Sequence, residues 1–197
     1  MKSIDRLKTA FRRLPGVGPR QAERFAVHFL RASNSEAQEL AAALKDLKAS
    51  IRLCKRCFAY SETDICRLCA DPERDPRSIC VVEEAQDIEV IEKTRTFNGY
   101  YHVLHGALSP LEGAGPAHLK IAELVERVKT ANGAVEEVII ATDPDTEGEA
   151  TALYLAQALR GLTQKISRIG YGVPLGADLD YTDELTLGHA LRGRTSI

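Results

Sequence analysis

The run Val138-Ile139-Ile140-Ala141-Thr142-Asp143-Pro144-Asp145-Thr146-Glu147-Gly148-Glu149 constrains this chain most. A short apolar rise is followed by four carboxylates within seven positions. Charge packed that densely repels itself unless water, a cation or basic groups neutralise it. The pattern predicts a buried strand ending in an acidic turn that opens a helix. Open α/β sheets place ligand and metal sites at such strand ends. The segment is therefore either a Mg²⁺ centre for phosphate chemistry or the inherited shell of one. The bland reading is a helix start in which Asp145 or Thr146 caps and Glu147 and Glu149 favour the dipole.

Hydrophobic spacing organises the rest. Ile4, Leu7, Phe11 and Leu14 predict an amphipathic helix over 3–14. Pro15-Gly16-Val17-Gly18-Pro19 ends it. A second helix starts near Pro19, with Ala22, Phe25, Ala26, Phe29 and Leu30 on one face. Ser33-Asn34-Ser35 breaks that helix and caps a third, over 35–53. Residues 71–76 read as a polar, proline-punctuated linker. Strands are then expected at 78–82, 100–104, 138–141 and 165–170, with helices at 86–94, 117–131 and 147–160. That alternation implies an α/β fold with a mostly parallel sheet and flanking helices. A short apolar helix near 185–191 closes the chain. The connection over 107–116 reads as an exposed, ordinary loop.

Cys54-x-x-Cys57 and Cys66-x-x-Cys69 form two knuckles that can together wrap one tetrahedral Zn²⁺, a set of buried free thiols being the bland reading. Eight residues between them suffice to reverse the chain. A segment this short builds no core of its own, so the zinc is expected to be structural. Cys80 stands apart on an apolar strand and reads as a core residue. Five cysteines with no secretion signal point to a reducing, cytoplasmic setting and to metal rather than disulfides.

Leu14-Pro15-Gly16-Val17-Gly18-Pro19-Arg20 between two helices has the form of a helix-hairpin-helix. Its glycine turn, Gly16 and Gly18, lets backbone N–H groups at a helix start meet a DNA phosphate. Arg20 and Arg24 lie one turn apart, and Arg12 and Arg13 flank the turn. Such contacts are independent of DNA sequence and weaken with salt. Charge distribution agrees: residues 1–56 carry 13 Lys/Arg against 5 Asp/Glu, and the remainder 13 against 23. A basic nucleic-acid-facing module on an acidic body is one reading, and a solvated basic helix pair is the other. The basic start, residues 1–14, reads as mature protein.

Glu83 follows the apolar strand Ile79-Cys80-Val81-Val82, as Asp143 and Asp145 follow theirs. In a parallel sheet these ends share one edge, so the three acids form a plausible Mg²⁺ cradle. No Gly-x-x-x-x-Gly-Lys-Ser/Thr run exists, which argues against ATP hydrolysis. Apolar runs fall far short of a membrane span.

The order of these parts resembles the RecR family of bacterial recombination mediators. That order is a helix-hairpin-helix, a four-cysteine knuckle and a toprim-like domain ending in Gly170-Tyr171-Gly172-Val173-Pro174-Leu175-Gly176. Tyr101-His102-Val103-Leu104-His105-Gly106-Ala107-Leu108-Ser109-Pro110-Leu111 and Glu147-Gly148-Glu149-Ala150-Thr151-Ala152-Leu153-Tyr154 are similar to stretches of that family. The resemblance implies a helix-hairpin-helix module over 1–53, a zinc finger over 54–75, a toprim domain over 76–172 and an assembly segment over 173–197. It implies a non-enzymatic DNA clamp, built as dimers or ring-like tetramers and associated with the nucleoid. RecO, and RecF in many bacteria, would be its partners in loading RecA onto single-stranded DNA covered by single-strand-binding protein. The family's DNA-contacting basic pair falls on Arg20 and Arg24, and its toprim acids fall on Glu83, Asp143 and Asp145. One departure stands out. The family usually reads Asn-Pro-Thr-Val-Glu-Gly-Glu where this chain has Asp143-Pro144-Asp145-Thr146-Glu147-Gly148-Glu149. That version is closer to the toprim of type IA topoisomerases. It leaves a second reading, a small Mg²⁺-dependent nuclease or nicking enzyme centred on the three acids.

Overall fold

A computed structural model describes residues 2–111 and 113–194. The last three positions of the expected C-terminal segment, residues 195–197, lie outside the described residues. The chain forms two compact units, Met1–Ile51 and Arg52–Ile197.

The first unit is helical. α1 (Lys2–Phe11) and α2 (Pro19–Arg31) join through the glycine turn, where Gly16 adopts φ 74°. That angle lies in the left-handed region open to glycine at little cost. Phe11 packs against Phe25 and Phe29, with ring centroids 5.5 and 6.0 Å apart, and Ala22 and Ala26 are fully buried. The Ser33 side chain caps α3 (Asn34–Ser50) by accepting from Glu36 N–H at 3.2 Å. The helix stops three residues before the expected position, because Arg52 and Leu53 pair with the next strand.

The second unit opens with a two-stranded antiparallel ribbon, β1 (Arg52–Leu53) and β2 (Tyr60–Ser61), followed by the short helix α4 (Arg67–Ala70). A four-stranded parallel sheet follows, in the order β4-β3-β5-β6. Its strands are β3 (Asp75–Val82), β4 (Gly99–Val103), β5 (Glu137–Ala141) and β6 (Lys165–Arg168). Helices α5 (Ala85–Thr94), α6 (Ile121–Thr130) and α7 (Thr146–Ala158) connect them, and α8 (Glu184–Arg192) follows β6.

Side chains alternate across the sheet. Ile79, Val81, Val138 and Ile140 face a core shared with Leu124 of α6 and Leu155 of α7. Cys80, Val82, Tyr101 and Ala141 face a second core with Ile88 of α5 and the knuckle cysteines. Cys80 is thus a core thiol, and burial pushes its pKa up to about 12.

Three further sequence expectations change. The polar linker over 71–76 is an anchor, with β3 already begun at Asp75. Arg74 is only 7% exposed, pairs with Glu92 and donates to Gly99 O at 2.8 Å. The expected helix over 117–131 begins at Ile121, after a 3₁₀ turn over Pro116–His118. The loop over 107–116 is exposed at Leu111 but tied down beside it. Ser109 is buried and donates to Glu147, and Leu108 N–H donates to Thr151 Oγ1 at 2.8 Å.

His102 on β4 is fully buried, with Nε2 2.7 Å from Lys120 O. Burial lowers its pKa to about 4. The unfolded chain takes up this proton near pH 6.5, whereas the folded chain resists it until near 4. Stability from the neutral ring is therefore complete above about pH 6.5 and lost as pH falls from there toward 4, by ~3 kcal/mol at most. Urea midpoints measured across that window should fall in the parent chain and fall less in His102→Gln.

Candidate metal centre and basic helix

The two knuckles bring Cys54, Cys57, Cys66 and Cys69 together. All four are buried, and their sulfurs lie within 4.8 Å of one another. Cys57 Sγ and Cys66 Sγ are 3.5 Å apart, too far for a disulfide and close to the edge of a tetrahedral ZnS₄ site. Local backbone explains the convergence. Cys54 N–H donates to Ala59 O and Phe58 N–H donates to Cys54 O, turning the first knuckle. Phe58 completes the turn at φ 63°. Cys66 N–H donates to Cys54 Sγ at 3.3 Å and begins α4, which carries Cys69. A hydrogen bond from Cys57 holds Cys66 far below the usual thiol range, and the same bond pushes Cys57 up. Four sulfurs this close repel one another when ionised, and a divalent cation is the species that would let all of them shed their protons. The donor set fits zinc.

The knuckle is fastened to the sheet edge. Val103 N–H donates to Cys57 O at 2.8 Å, and His105 Nε2 lies 2.8 Å from Phe58 O. β4 is an outer strand, so the knuckle covers backbone that would otherwise be unpaired.

The three acids sit at the predicted edge. Val82 is in register with Ala141, so Glu83 and Thr142 leave the sheet side by side. Glu83 is 9% exposed, and its Oε1 accepts from Asp143 N–H at 3.1 Å. Burial raises its pKa. The charges of Asp143, Asp145 and Asp87 act in the same direction, against that hydrogen bond. Asp145 caps α7, its Oδ1 accepting from Gly148 N–H at 2.7 Å. Asp143 is exposed. Among the described residues, the cysteines are the one group of three or more metal-type ligands converging within 4.8 Å, so the three acids do not close into such a cluster.

Gly148 makes this turn possible. A Cβ there would collide with the Asp143 carbonyl and stand 2.9 Å from both Asp143 N and Glu83 Oε1. Gly148→Ala is expected to destabilise the chain by roughly 3 kcal/mol or more, read as a lowered urea midpoint. An unchanged midpoint would show that the turn can open freely. Arg168 is the other residue that sequence reasoning passed over. It pairs with Glu149 and stacks over Tyr171 at 4.8 Å. Only the strand register brings it to the acidic turn, so spacing along the chain gave no sign of it.

On the helical unit, Arg12, Arg13, Gly16, Gly18, Arg20 and Arg24 are all exposed. Gly18 precedes α2 without a side-chain cap, and Pro19 occupies its first turn. First-turn N–H groups are thereby left to solvent or an anion. Arg20, Arg24 and Arg31 line one open groove along α2. Glu23 lies between them but is paired with Lys8 at 2.7 Å. Among the described residues, Arg20 and Arg24 have no carboxylate partner.

These features define a class, a toprim domain bearing a four-cysteine finger and accompanied by a helix-hairpin-helix. Family models agree segment by segment. The RecR helix-hairpin-helix model matches residues 4–48, the RecR four-cysteine zinc finger domain 51–71, the toprim domain 77–170 and the RecR C-terminal model 172–195. The recombination protein RecR of Koribacter versatilis is 51% identical over 98% of this chain and 94% of its own. That of Moorella thermoacetica is 50% identical over 97% and 95%, and that of Bdellovibrio bacteriovorus 47% over 100% and 98%. The chain belongs to the RecR family. Among the described residues, no helix is long and apolar enough to cross a membrane.

Proposed function

We propose that this protein is a non-enzymatic DNA-binding clamp and adaptor in recombinational repair, working in the bacterial cytoplasm at the nucleoid. It acts with RecO, and with RecF where present, to help load RecA onto single-stranded DNA covered by single-strand-binding protein. Copies assemble as dimers or tetramers through surfaces that include the segment over 173–197. One structural zinc per chain, on Cys54, Cys57, Cys66 and Cys69, holds the finger. The observation that carries the reading is the exposed arginine pair, Arg20 and Arg24, without a carboxylate partner among the described residues, in the first two turns of the uncapped α2. Two cations one turn apart beside free N–H groups suit a phosphate backbone of any sequence. The test is RecA filament formation on coated single strands with RecO present. The parent chain should shorten the lag, and equal lags with and without it would defeat the reading.

A nuclease reading is favoured by one observation, the raised, buried Glu83 beside Asp143. Supercoiled plasmid incubated with the chain and Mg²⁺ is expected to stay intact. Nicking lost in both Asp143→Asn and Asp145→Asn would install the enzyme instead.

A further inference from the structure

Arg127 of α6 presents an electrostatic problem that its helix does not solve. Its Nη1 donates to Tyr101 O at 2.7 Å and to Arg56 O at 3.3 Å. Both acceptors are neutral carbonyls. Glu123, one turn earlier, is taken by Lys120 at 2.6 Å. Among the described residues, no carboxylate lies within ion-pair distance of Arg127. A guanidinium does not shed its proton in a protein, so a partly buried one requires a counter-charge.

The anions that act on it are sulfurs. Burial and the like charge of Arg56 work against the Arg127 charge, and Cys69, Cys57 and Cys54 support it. Arg56 adds a second guanidinium from within the first knuckle, its Nη1 donating to Cys69 O at 3.0 Å. Four thiolates around one Zn²⁺ leave two net negative charges. Two guanidiniums bracketing the knuckle balance them.

We propose that Arg127 is a positioning residue for the metal, supplying from the sheet-side helix the positive charge that the zinc tetrathiolate requires. This rests on the zinc assignment above. Arg127 also ties Arg56 of the knuckle to Tyr101 of β4, so the same side chain serves charge and docking. Partners outside the ligand set commonly change metal affinity by about 10–100-fold.

The test measures zinc retention of the full chain against a chromophoric chelator, after metal analysis of the parent. Arg127→Gln removes the charge and leaves a neutral amide donor on a shorter side chain. It should lose zinc about 10–100-fold more readily, while Arg127→Lys stays within about threefold of the parent. Retention in Arg127→Gln within threefold of the parent overturns the proposal. So does equal loss in the Lys and Gln variants, which would make the bracket one of hydrogen-bond geometry alone. If circular dichroism shows Arg127→Gln unfolded, the Lys variant decides: parent-like retention supports the proposal, and tenfold loss overturns it. A parent chain without zinc defeats the metal assignment, and this inference with it.

Discussion

Cys54→Ser is expected to strip the full-length chain of zinc and of most of the order in its finger. The finger has two two-residue strands and one turn of helix, and its buried side chains are largely the cysteines themselves. Its cohesion therefore comes from the metal, which contributes roughly 10–16 kcal/mol in small modules of this kind. Without it, the knuckles lose the cation that joins them and with it their common centre. The damage should extend to β4, because Val103 N–H bonds to Cys57 O. Amide exchange at Val103 should accelerate by orders of magnitude, while Leu124 and Leu155, in the opposite core, stay protected. Metal analysis provides the decisive check. A Cys54→Ser/Cys66→Ser chain that still carried stoichiometric zinc would refute the assignment.

Removing Arg20 and Arg24 together should weaken DNA binding by about 10–100-fold near physiological salt, without harming the fold. Each neutralised phosphate contributes roughly 0.9 to the slope of log affinity against log salt on duplex DNA, and about 0.7 on single strands. The Arg20→Ala/Arg24→Ala chain should thus show a slope shallower by about 1.4 to 1.8. Filter-binding titrations at several salt concentrations measure both quantities. Both side chains are exposed and Glu23 is held by Lys8, so the thermal midpoint should hardly move. Unchanged affinity and slope would move the DNA surface elsewhere.

Much of this architecture is visible in the residues. Ile79-Cys80-Val81-Val82 and Val138-Ile139-Ile140-Ala141 read as buried strands because both faces of a parallel sheet are covered. The doubled Cys-x-x-Cys gives a converged thiol cluster because two tight turns leave the sulfurs few other arrangements. What could not be read depends on pairing distant in sequence. Arg74 looks like a linker charge until β4 and Glu92 enclose it. Arg127 looks like one more basic residue on an amphipathic helix until the finger packs beside it. Of the acids at 143–149, the cap at Asp145 or Thr146 is legible in the sequence and the side-chain partners of the others are not. In the fold Asp145 caps, Glu147 holds Ser109, Glu149 holds Arg168, and Asp143 is left exposed.

The central position of β3 also sets a schedule. Its partners lie later in the chain, with Val82 paired to Val103 and to Ala141. During synthesis the apolar stretch of β3 must therefore wait for its second neighbour while about sixty more residues are added, roughly 3–12 s at ordinary elongation rates. A β-prone stretch left open for that long is a site for wrong pairing between nascent chains. The zinc finger emerges just before this strand and lies against the same face of the sheet. Early metal uptake would give the waiting strand an apolar surface within its own chain, making zinc supply a determinant of folding yield as well as of final stability.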